Sequence, residues 1–324
     1  MQQKRLLIID QLNLFFRSYI VNPSLSTDGQ PIGGLVGVMK SLQKICRETN
    51  PDKVIICWDG EGGSVKRKLM NKDYKAGRKP VRLNRDVRTL SEDEERSNKA
   101  WQLQRCLEYM NNMPVIQFMY RSVEADDIIA YISGLKEYSD WQKVIVSSDK
   151  DFFQLLDDST VLYRPIQKQV LNKNSLLAEY NIHPKNFAIA RAMVGDKSDN
   201  LEGVGGIGVT SAAKRFPFLA ESESATVEKV LEFCKESLET KKLKAYENVL
   251  KNEQIFDRNY QIMQLYAPSL SIDAKKSIRE TLRDADLSFN KTKIVTMMIQ
   301  DGFGDLEWQE LQAFFRRLSL DNEV

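Results

Sequence analysis

The residues in this chain best placed to do chemistry are carboxylates. Asp10, Asp59 and Asp149 each stand at or just after the end of a short apolar run. Glu124, Asp126 and Asp127 open a predicted helix, with Glu124 and Asp127 on one face. Asp149 and Asp151 straddle a turn from strand to helix, and Asp196 and Asp199 are three apart. Any one of these acids is most simply a helix N-cap or a surface group. Nine of them in five groups, three ending strands, imply a common pocket. Bare carboxylates brought together raise one another's pKa and oppose folding, which divalent cations would relieve. Oxygen donors without neighbouring Cys or His suit Mg²⁺ or Mn²⁺ rather than zinc or copper. Two such ions about 4 Å apart can make a nucleophile of water and stabilise the departing oxygen of a phosphodiester.

Other chemistries are excluded. The only histidine, His183, leaves no HExxH site and no Ser-His-Asp triad. Cys46, Cys57, Cys106 and Cys234 have no CxxC spacing. Nothing at the N-terminus resembles a signal peptide, and no apolar run approaches the roughly 20 residues of a membrane span. A reducing, cytoplasmic setting is expected. With 324 residues, 42% hydrophobic and 28% charged, the chain can bury one large core or two smaller ones. A net charge of +2 says nothing of a polyanionic partner until the charges are located.

The elements that must position the acids are legible as runs. Residues 6–9, 54–58 and 144–146 are apolar, β-branched and unalternated, as in strands buried on both faces of a parallel sheet. Residues 115–118 and 161–163 are weaker strand candidates, and 35–48, 98–111, 125–136 and 151–156 have helical periodicity. The alternation predicts an α/β layered domain over about the first 165 residues. Ligands of such sheets gather beyond the carboxyl ends of the strands, where Asp10, Asp59 and Asp149 fall. After about residue 175 the strand signals fade into helices, the last over roughly 306–318 with Leu306, Leu311, Phe314, Phe315 and Leu318 on one stripe.

Two segments point to a phosphate backbone. Between Ser64 and Arg88 there are ten basic residues and two acids, Asp73 and Asp86, so the stretch could steer and grip a polyanion beside the acids. Its few apolar residues agree with local disorder or folding on binding. Gly203, Gly205, Gly206 and Gly208 permit a tight hairpin between helices whose main-chain amides can approach phosphates, flanked by Lys197, Lys214 and Arg215. No buried strand precedes this turn and no GK[ST] follows, which argues against a nucleotide-binding loop.

In order along the chain, Asp10 with Asn13 and Arg17, Trp58-Asp59, Arg67, Tyr74-Lys75-Ala76-Gly77-Arg78, Glu124-Ala125-Asp126-Asp127, Asp149-Lys150-Asp151 with Gln154-Leu155, and Gly195-Asp196-Lys197-Ser198-Asp199-Asn200 running into the glycine turn resemble the structure-specific 5′-nucleases. That family includes flap endonucleases, the 5′-nuclease domain of bacterial DNA polymerase I and the stand-alone bacteriophage enzymes called ribonuclease H or flap endonuclease, which this chain resembles most in size. The resemblance covers residues 5 to about 215. It implies a PIN-like nuclease domain over 1–185 with a basic arch at about 62–100, and a helical region over 186–324 with a helix–hairpin–helix DNA-binding element at about 190–220. It implies metal ligands at Asp10, Asp59, Glu124, Asp126, Asp149, Asp151 and Asp199, with Asp127 and Asp196 matching extra acids of phage and bacterial members. It places Lys75 and Arg78 on the scissile phosphate, consistent with two residues three apart on one helical face. Asn13, Arg17, Arg67 and Tyr74 are expected to bind nucleic acid with the glycine turn, where relatives hold a monovalent cation such as K⁺.

The expected activity is two-metal cleavage near 5′ ends of flap or branched DNA and RNA–DNA hybrids by a monomer, removing RNA primers and flaps in replication. Replication proteins such as a single-strand-binding protein or a sliding clamp are expected partners. A catalytically silent junction-binding protein is the alternative, disfavoured because a pure binder would gain by losing acids that repel phosphate. A toxin-style PIN ribonuclease would be shorter and lack the Asp-rich lead into a glycine hairpin. Residues 220–324, with Lys275, Lys276, Arg279 and Arg283, carry no motif of the family.

Overall fold

The computed structural model describes residues 3–79, 81–84, 90–165, 167–240, 242–304 and 308–320. Arg85, Asp86 and Arg88 of the basic segment and Leu306 of the last stripe lie outside the described residues. Among the described residues, β1 (Arg5–Asp10), β2 (Lys53–Cys57), β3 (Ile116–Phe118), β4 (Gln142–Val146), β5 (Thr160–Arg164) and β6 (Gln169–Leu171) form one sheet in the order β3-β2-β1-β4-β5-β6. All neighbours are parallel except β5 and β6, which are antiparallel.

The helices are α1 (Gln11–Val21), α2 (Gly33–Thr49), α3 (Val65–Met70), α4 (Glu92–Met110), α5 (Ala125–Ser133), α6 (Lys173–Tyr180) and α7 (Phe187–Val194). They continue as α8 (Val209–Arg215), α9 (Val227–Thr240), α10 (Lys244–Lys251), α11 (Glu253–Met263), α12 (Ile272–Asp284), α13 (Lys291–Gln300) and α14 (Gln309–Leu320). Among the described residues no helix is long and apolar enough to cross a membrane.

The unalternated runs are explained by helices on both faces. Successive strand residues point to opposite sides. Leu6, Ile8, Ile55 and Ile145 pack in one cluster with Ile128 and Ile129 of α5 and Phe187 of α7, while Leu7, Ile9, Val54 and Val146 pack in another with Phe15 of α1 and Leu42 of α2. The expected boundary at 185/186 is not a break in packing. The first cluster includes Val230, Val249, Phe256 and Ile278, and the second includes Ile294, Met297, Leu311 and Phe315. Residues from 220–240, 242–304 and 308–320 therefore share the two clusters that cover the sheet.

Some elements differ from the sequence expectation. α4 begins at Glu92 instead of about 98, because Ser91 accepts from the Glu94 amide and the Glu94 carboxylate reaches back to the Ser91 amide. The expected helix over 151–156 is a 3₁₀ turn at Asp151–Leu155, wound tightly where β4 must deliver its acids. The basic segment between Ser64 and Lys79, expected to be poorly ordered, forms α3 and a run of turns packed on the acids.

Candidate metal centre and nucleic-acid interface

Three parallel strands end at one edge. Asp10 is the last residue of β1 and lies in register with Cys57, two positions before Asp59, and Ile9 pairs with Val146, three before Asp149. Asp10 caps α1 by accepting from the Asn13 amide, and its other oxygen accepts from Ser147 Oγ at 2.9 Å. Asn13 Oδ1 accepts from the Ser148 amide at 3.1 Å, which ties the start of α1 to the loop after β4. Asp59 Oδ1 accepts from the Ala125 amide at 2.7 Å and so fixes the start of α5 beside β2. Asp149 Oδ1 accepts from the Asp151 amide at 2.8 Å.

The nine acids separate into two kinds, and Asp59, raised by burial and held by the Ala125 amide, goes with the first. Among the described residues Asp10, Asp126 and Asp149 form no ion pair, and Asp151 stays raised although Arg191 Nη2 donates to it at 3.3 Å. Burial and then Asp59 push Asp10 up to about 7, and burial and then Asp149 push Asp151 up to about 7. Asp126 stands well above the usual carboxylate range through burial, Asp149 and Asp10. Burial likewise raises Asp149, which acts on Asp10, Asp126 and Asp151 and is thus a neighbour common to all three.

The other kind is already paired. Glu124 accepts from Ser64 Oγ at 2.5 Å, Lys75 Nζ at 2.8 Å, Arg67 Nη1 at 2.9 Å and Tyr74 Oη at 3.4 Å. Burial would raise its pKa, but Arg67 and Lys75 hold it below the ordinary value. Asp127 pairs with Arg67 Nη1 at 2.8 Å and accepts from the Ser269 amide at 2.8 Å. Asp196 is held by Arg191 and by the Ser198 amide and hydroxyl, and Asp199 by Arg78. Among the described residues, no three Asp, Glu, His or Cys side chains close into a ready-made cage.

The structure places several of the expected site residues among protein partners. Asp127, expected to ligate metal, is buried and held by an arginine and a backbone amide. Asp196 has both oxygens occupied. Arg67, expected on nucleic acid, is only 7% exposed and also donates to the Ile262 carbonyl at 2.9 Å. Tyr74, expected at the same surface, is buried with its hydroxyl on Glu124. Arg17 lies half-buried beside Tyr163. Lys75 and Arg78 do not share a helical face, because Lys75 at φ 59° and Gly77 at φ 72° break the helix into turns. Both still reach the acids, and the Lys75 amide donates to the Asp199 carbonyl at 2.8 Å.

The glycine segment joins α7 to α8. A Cβ on Gly203 would meet the Val194 carbonyl oxygen at 2.0 Å, and Gly206 has φ 81°, so the fold itself demands these two glycines. Gly205 and Gly208 are exposed and would face no such clash. Arg215 Nη1 donates to the Gly206 carbonyl at 2.7 Å and Asn248 Nδ2 to the Gly205 carbonyl at 2.8 Å. Lys197 and Lys214 are exposed nearby in sequence. Arg191, unremarked in the sequence because a lone helical arginine has no motif, is the main residue that sequence reasoning missed.

A layered, mostly parallel α/β sheet with an acid-lined edge and a helix–hairpin–helix beyond it defines a resolvase-like, PIN-like nuclease domain. The chain belongs to the family described as 5′-3′ exonuclease, N-terminal resolvase-like domain, whose model matches residues 5–181. It is 32% identical over 210 residues to the flap endonuclease Xni of Shewanella sp. (strain MR-4), covering 65% of this chain and 74% of that one. It is 31% identical over 211 residues to thermostable DNA polymerase I of Thermus aquaticus, covering 65% of this chain but only 23% of the polymerase. A solved structure of T5 5′-exonuclease with bound zinc has the same fold, with a TM-score of 0.69 at 22% identity, covering 86% of this chain and 99% of that one.

The raised carboxyls have a thermodynamic consequence. Without divalent ions the folded protein keeps protons on Asp10 and Asp151 that an unfolded chain releases. The stability they contribute is complete below the ordinary carboxylate value of about 4 and is lost as pH rises through about 7. Scanning calorimetry in EDTA should therefore give a Tm that falls from about pH 5 to about pH 8, with added Mg²⁺ raising Tm most at the upper end. A metal-free Tm that climbs over that interval would contradict this assignment.

Proposed function

We propose that the chain is a divalent-metal-dependent, structure-specific 5′-nuclease that hydrolyses phosphodiesters near 5′ ends of flap or branched DNA and of RNA–DNA hybrids. The observation that carries this reading is the set of buried carboxylates with raised pKa values, Asp10, Asp126, Asp149 and Asp151, gathered at one sheet edge beside the cationic turn that carries Lys75 and Arg78. Their donor chemistry fits hard cations: oxygen only, largely desolvated, and short of positive charge. Mg²⁺ is the natural occupant, with Mn²⁺ able to substitute. Asp10, Asp59, Asp126 and Asp149 would hold one ion and Asp149, Asp151 and Asp199 the other, Asp149 being common to both.

Bound divalent ions supply activated water and counter-charge for the departing oxygen. The chain contributes the rest. Asn13, Ser147 and Asp59 fix the acids through the hydrogen bonds described above. Glu124 keeps Lys75 at the edge of the site, where burial is outweighed by Glu124 and Asp126 and its ammonium stays charged. Lys75 and Arg78 then offer positive charge and donors to a phosphate oxygen in the transition state, and neither need act as a base. Gly205, which the fold does not require, is exposed and would let a duplex backbone approach the main chain there, whereas the Gly208 amide is taken by Ser211 Oγ at 2.8 Å. The turn's Gly205 and Gly206 carbonyls are already taken by Asn248 and Arg215, and any bound K⁺ would use others. Primer and flap removal would bring the protein alongside replication proteins such as a single-strand-binding protein or a sliding clamp in a host cytoplasm. A silent junction binder is the poorer reading, because nothing would favour retaining acids that repel phosphate.

A 5′-labelled flap and an RNA–DNA hybrid, each incubated with Mg²⁺ and then with EDTA, test this directly. Cleavage should require the metal, and Lys75→Ala or Arg78→Ala should lower the single-turnover rate by about 10²–10³-fold with little change in affinity. Cleavage that persists in EDTA would refute the reading, and a loss confined to affinity would refute the transition-state role. Gly205→Ala should leave Tm unchanged while weakening flap binding, measured by fluorescence anisotropy; unaltered binding would remove the glycine turn from the interface.

A further inference from the structure

We propose that Arg191 is a positioning residue that holds Asp151 and the Asp199-bearing loop in one arrangement, which favours binding of the second divalent ion; this rests on the metal-dependent reading above. Arg191 lies in the last turn of α7, and its side chain is only 13% exposed. Its Nη2 donates to Asp151 Oδ1 at 3.3 Å and also to Asp196 Oδ2. One nitrogen thus joins two acids from unrelated segments, the 3₁₀ turn after β4 and the loop after α7. Its Nε is buried without a hydrogen-bond partner, so the guanidinium is aimed by the two acids at the expense of one of its own donors.

The loop transmits that grip. Gly195, at φ 75°, ends α7 sharply. Asp196 then exchanges backbone hydrogen bonds with Leu201, both at 2.8 Å, and its Oδ1 accepts from the Ser198 amide at 2.7 Å and hydroxyl at 2.6 Å. Asp199 lies inside this closed turn. With both oxygens committed, Asp196 serves as the anchor through which Arg191 sets the loop, and Asp199 is the acid that the loop presents. Asp151 is set from the other side, since its amide is bound by Asp149 Oδ1. Without Arg191, Asp151 and Asp196 would repel, and the loop carrying Asp199 would lose its register against Asp149 and Asp151. Partners that orient metal ligands in this way typically change affinity by about 10–100-fold when removed.

The test is Mn²⁺ binding without DNA, followed by electron paramagnetic resonance and calorimetry, on the full chain and on Arg191→Met and Arg191→Lys. The native chain should bind two ions. Arg191→Met should keep the tighter affinity and lose at least about tenfold in the weaker, with Arg191→Lys between. In flap cleavage, Arg191→Met should need correspondingly more Mg²⁺ for half-maximal rate and recover near-native rate at saturation. If Arg191→Met does not fold, Asp196→Asn, which weakens the same anchor, should also selectively weaken the second ion. Unchanged affinities would make Arg191 a structural cross-link only. A tightened second site would make it a competitor of the ion, and a rate deficit that excess Mg²⁺ does not restore would also overturn the proposal. Failure of the native chain to bind Mn²⁺ would sink the metal-dependent reading itself, a result distinct from two ions bound equally by native and variant chains.

Discussion

The repulsion among carboxylates held at one sheet edge is the constraint on which the rest of this structure depends. Parallel strands inside a helix-covered sheet cannot deliver their last residues anywhere but a common rim. The apolar runs that make those strands stable therefore also force Asp10, Asp59 and Asp149 together. The fold answers with two devices. It leaves Asp10, Asp126, Asp149 and Asp151 short of charge, so that protons or metal ions must complete them. It also pairs Glu124, Asp127, Asp196 and Asp199 with arginine or lysine and sets Arg191 against Asp151, so that only part of the negative charge stays uncompensated.

Those internal cations couple distant segments. Arg67 joins the foot of the basic segment to α5 and, through the Ile262 carbonyl, to α11. Lys75 and Arg78 bring the turn after α3 onto Glu124 and Asp199, and the Asn200 side chain donates to the Asp73 carbonyl at 3.0 Å. The basic segment, the acid edge and the loop leading into the glycine turn thus form one hydrogen-bonded unit. Burying an ion pair such as Arg67 with Asp127 contributes little net stability, but removing one partner leaves a charge stranded. Its value here is geometric, because it fixes Glu124 and the chain that carries Lys75.

Much of this was legible in the sequence, for identifiable reasons. Unalternated apolar runs can hardly be anything but doubly covered strands, and the acids that end them inherit their place from the parallel arrangement. The order of the motifs carried the family, and the glycine spacing carried the turn between α7 and α8. What escaped depended on meetings that no local pattern encodes. Arg67 reads as a motif residue aimed at nucleic acid, yet it is buried by acids 57 and 60 positions away. Arg191 reads as a solvated helical arginine, yet it sits between Asp151 and Asp196. The periodic spacing of Lys75 and Arg78 suggested a helix that the left-handed backbone at Lys75 and Gly77 prevents. The same limitation hid the division of the acids into paired and raised sets, which only the tertiary placement of Lys and Arg decides.

The central claim is that the acids that burial and mutual repulsion leave raised take divalent ions, joined by Asp199, which must exchange Arg78 for metal. Anomalous diffraction from crystals soaked in Mn²⁺ tests it most directly. The account predicts two peaks, one among Asp10, Asp59, Asp126 and Asp149 and one among Asp149, Asp151 and Asp199, with Asp127 and Asp196 still on their arginines. Crystals without manganese density among these oxygens, or with ions seated on Asp127 and Asp196 instead, would contradict it.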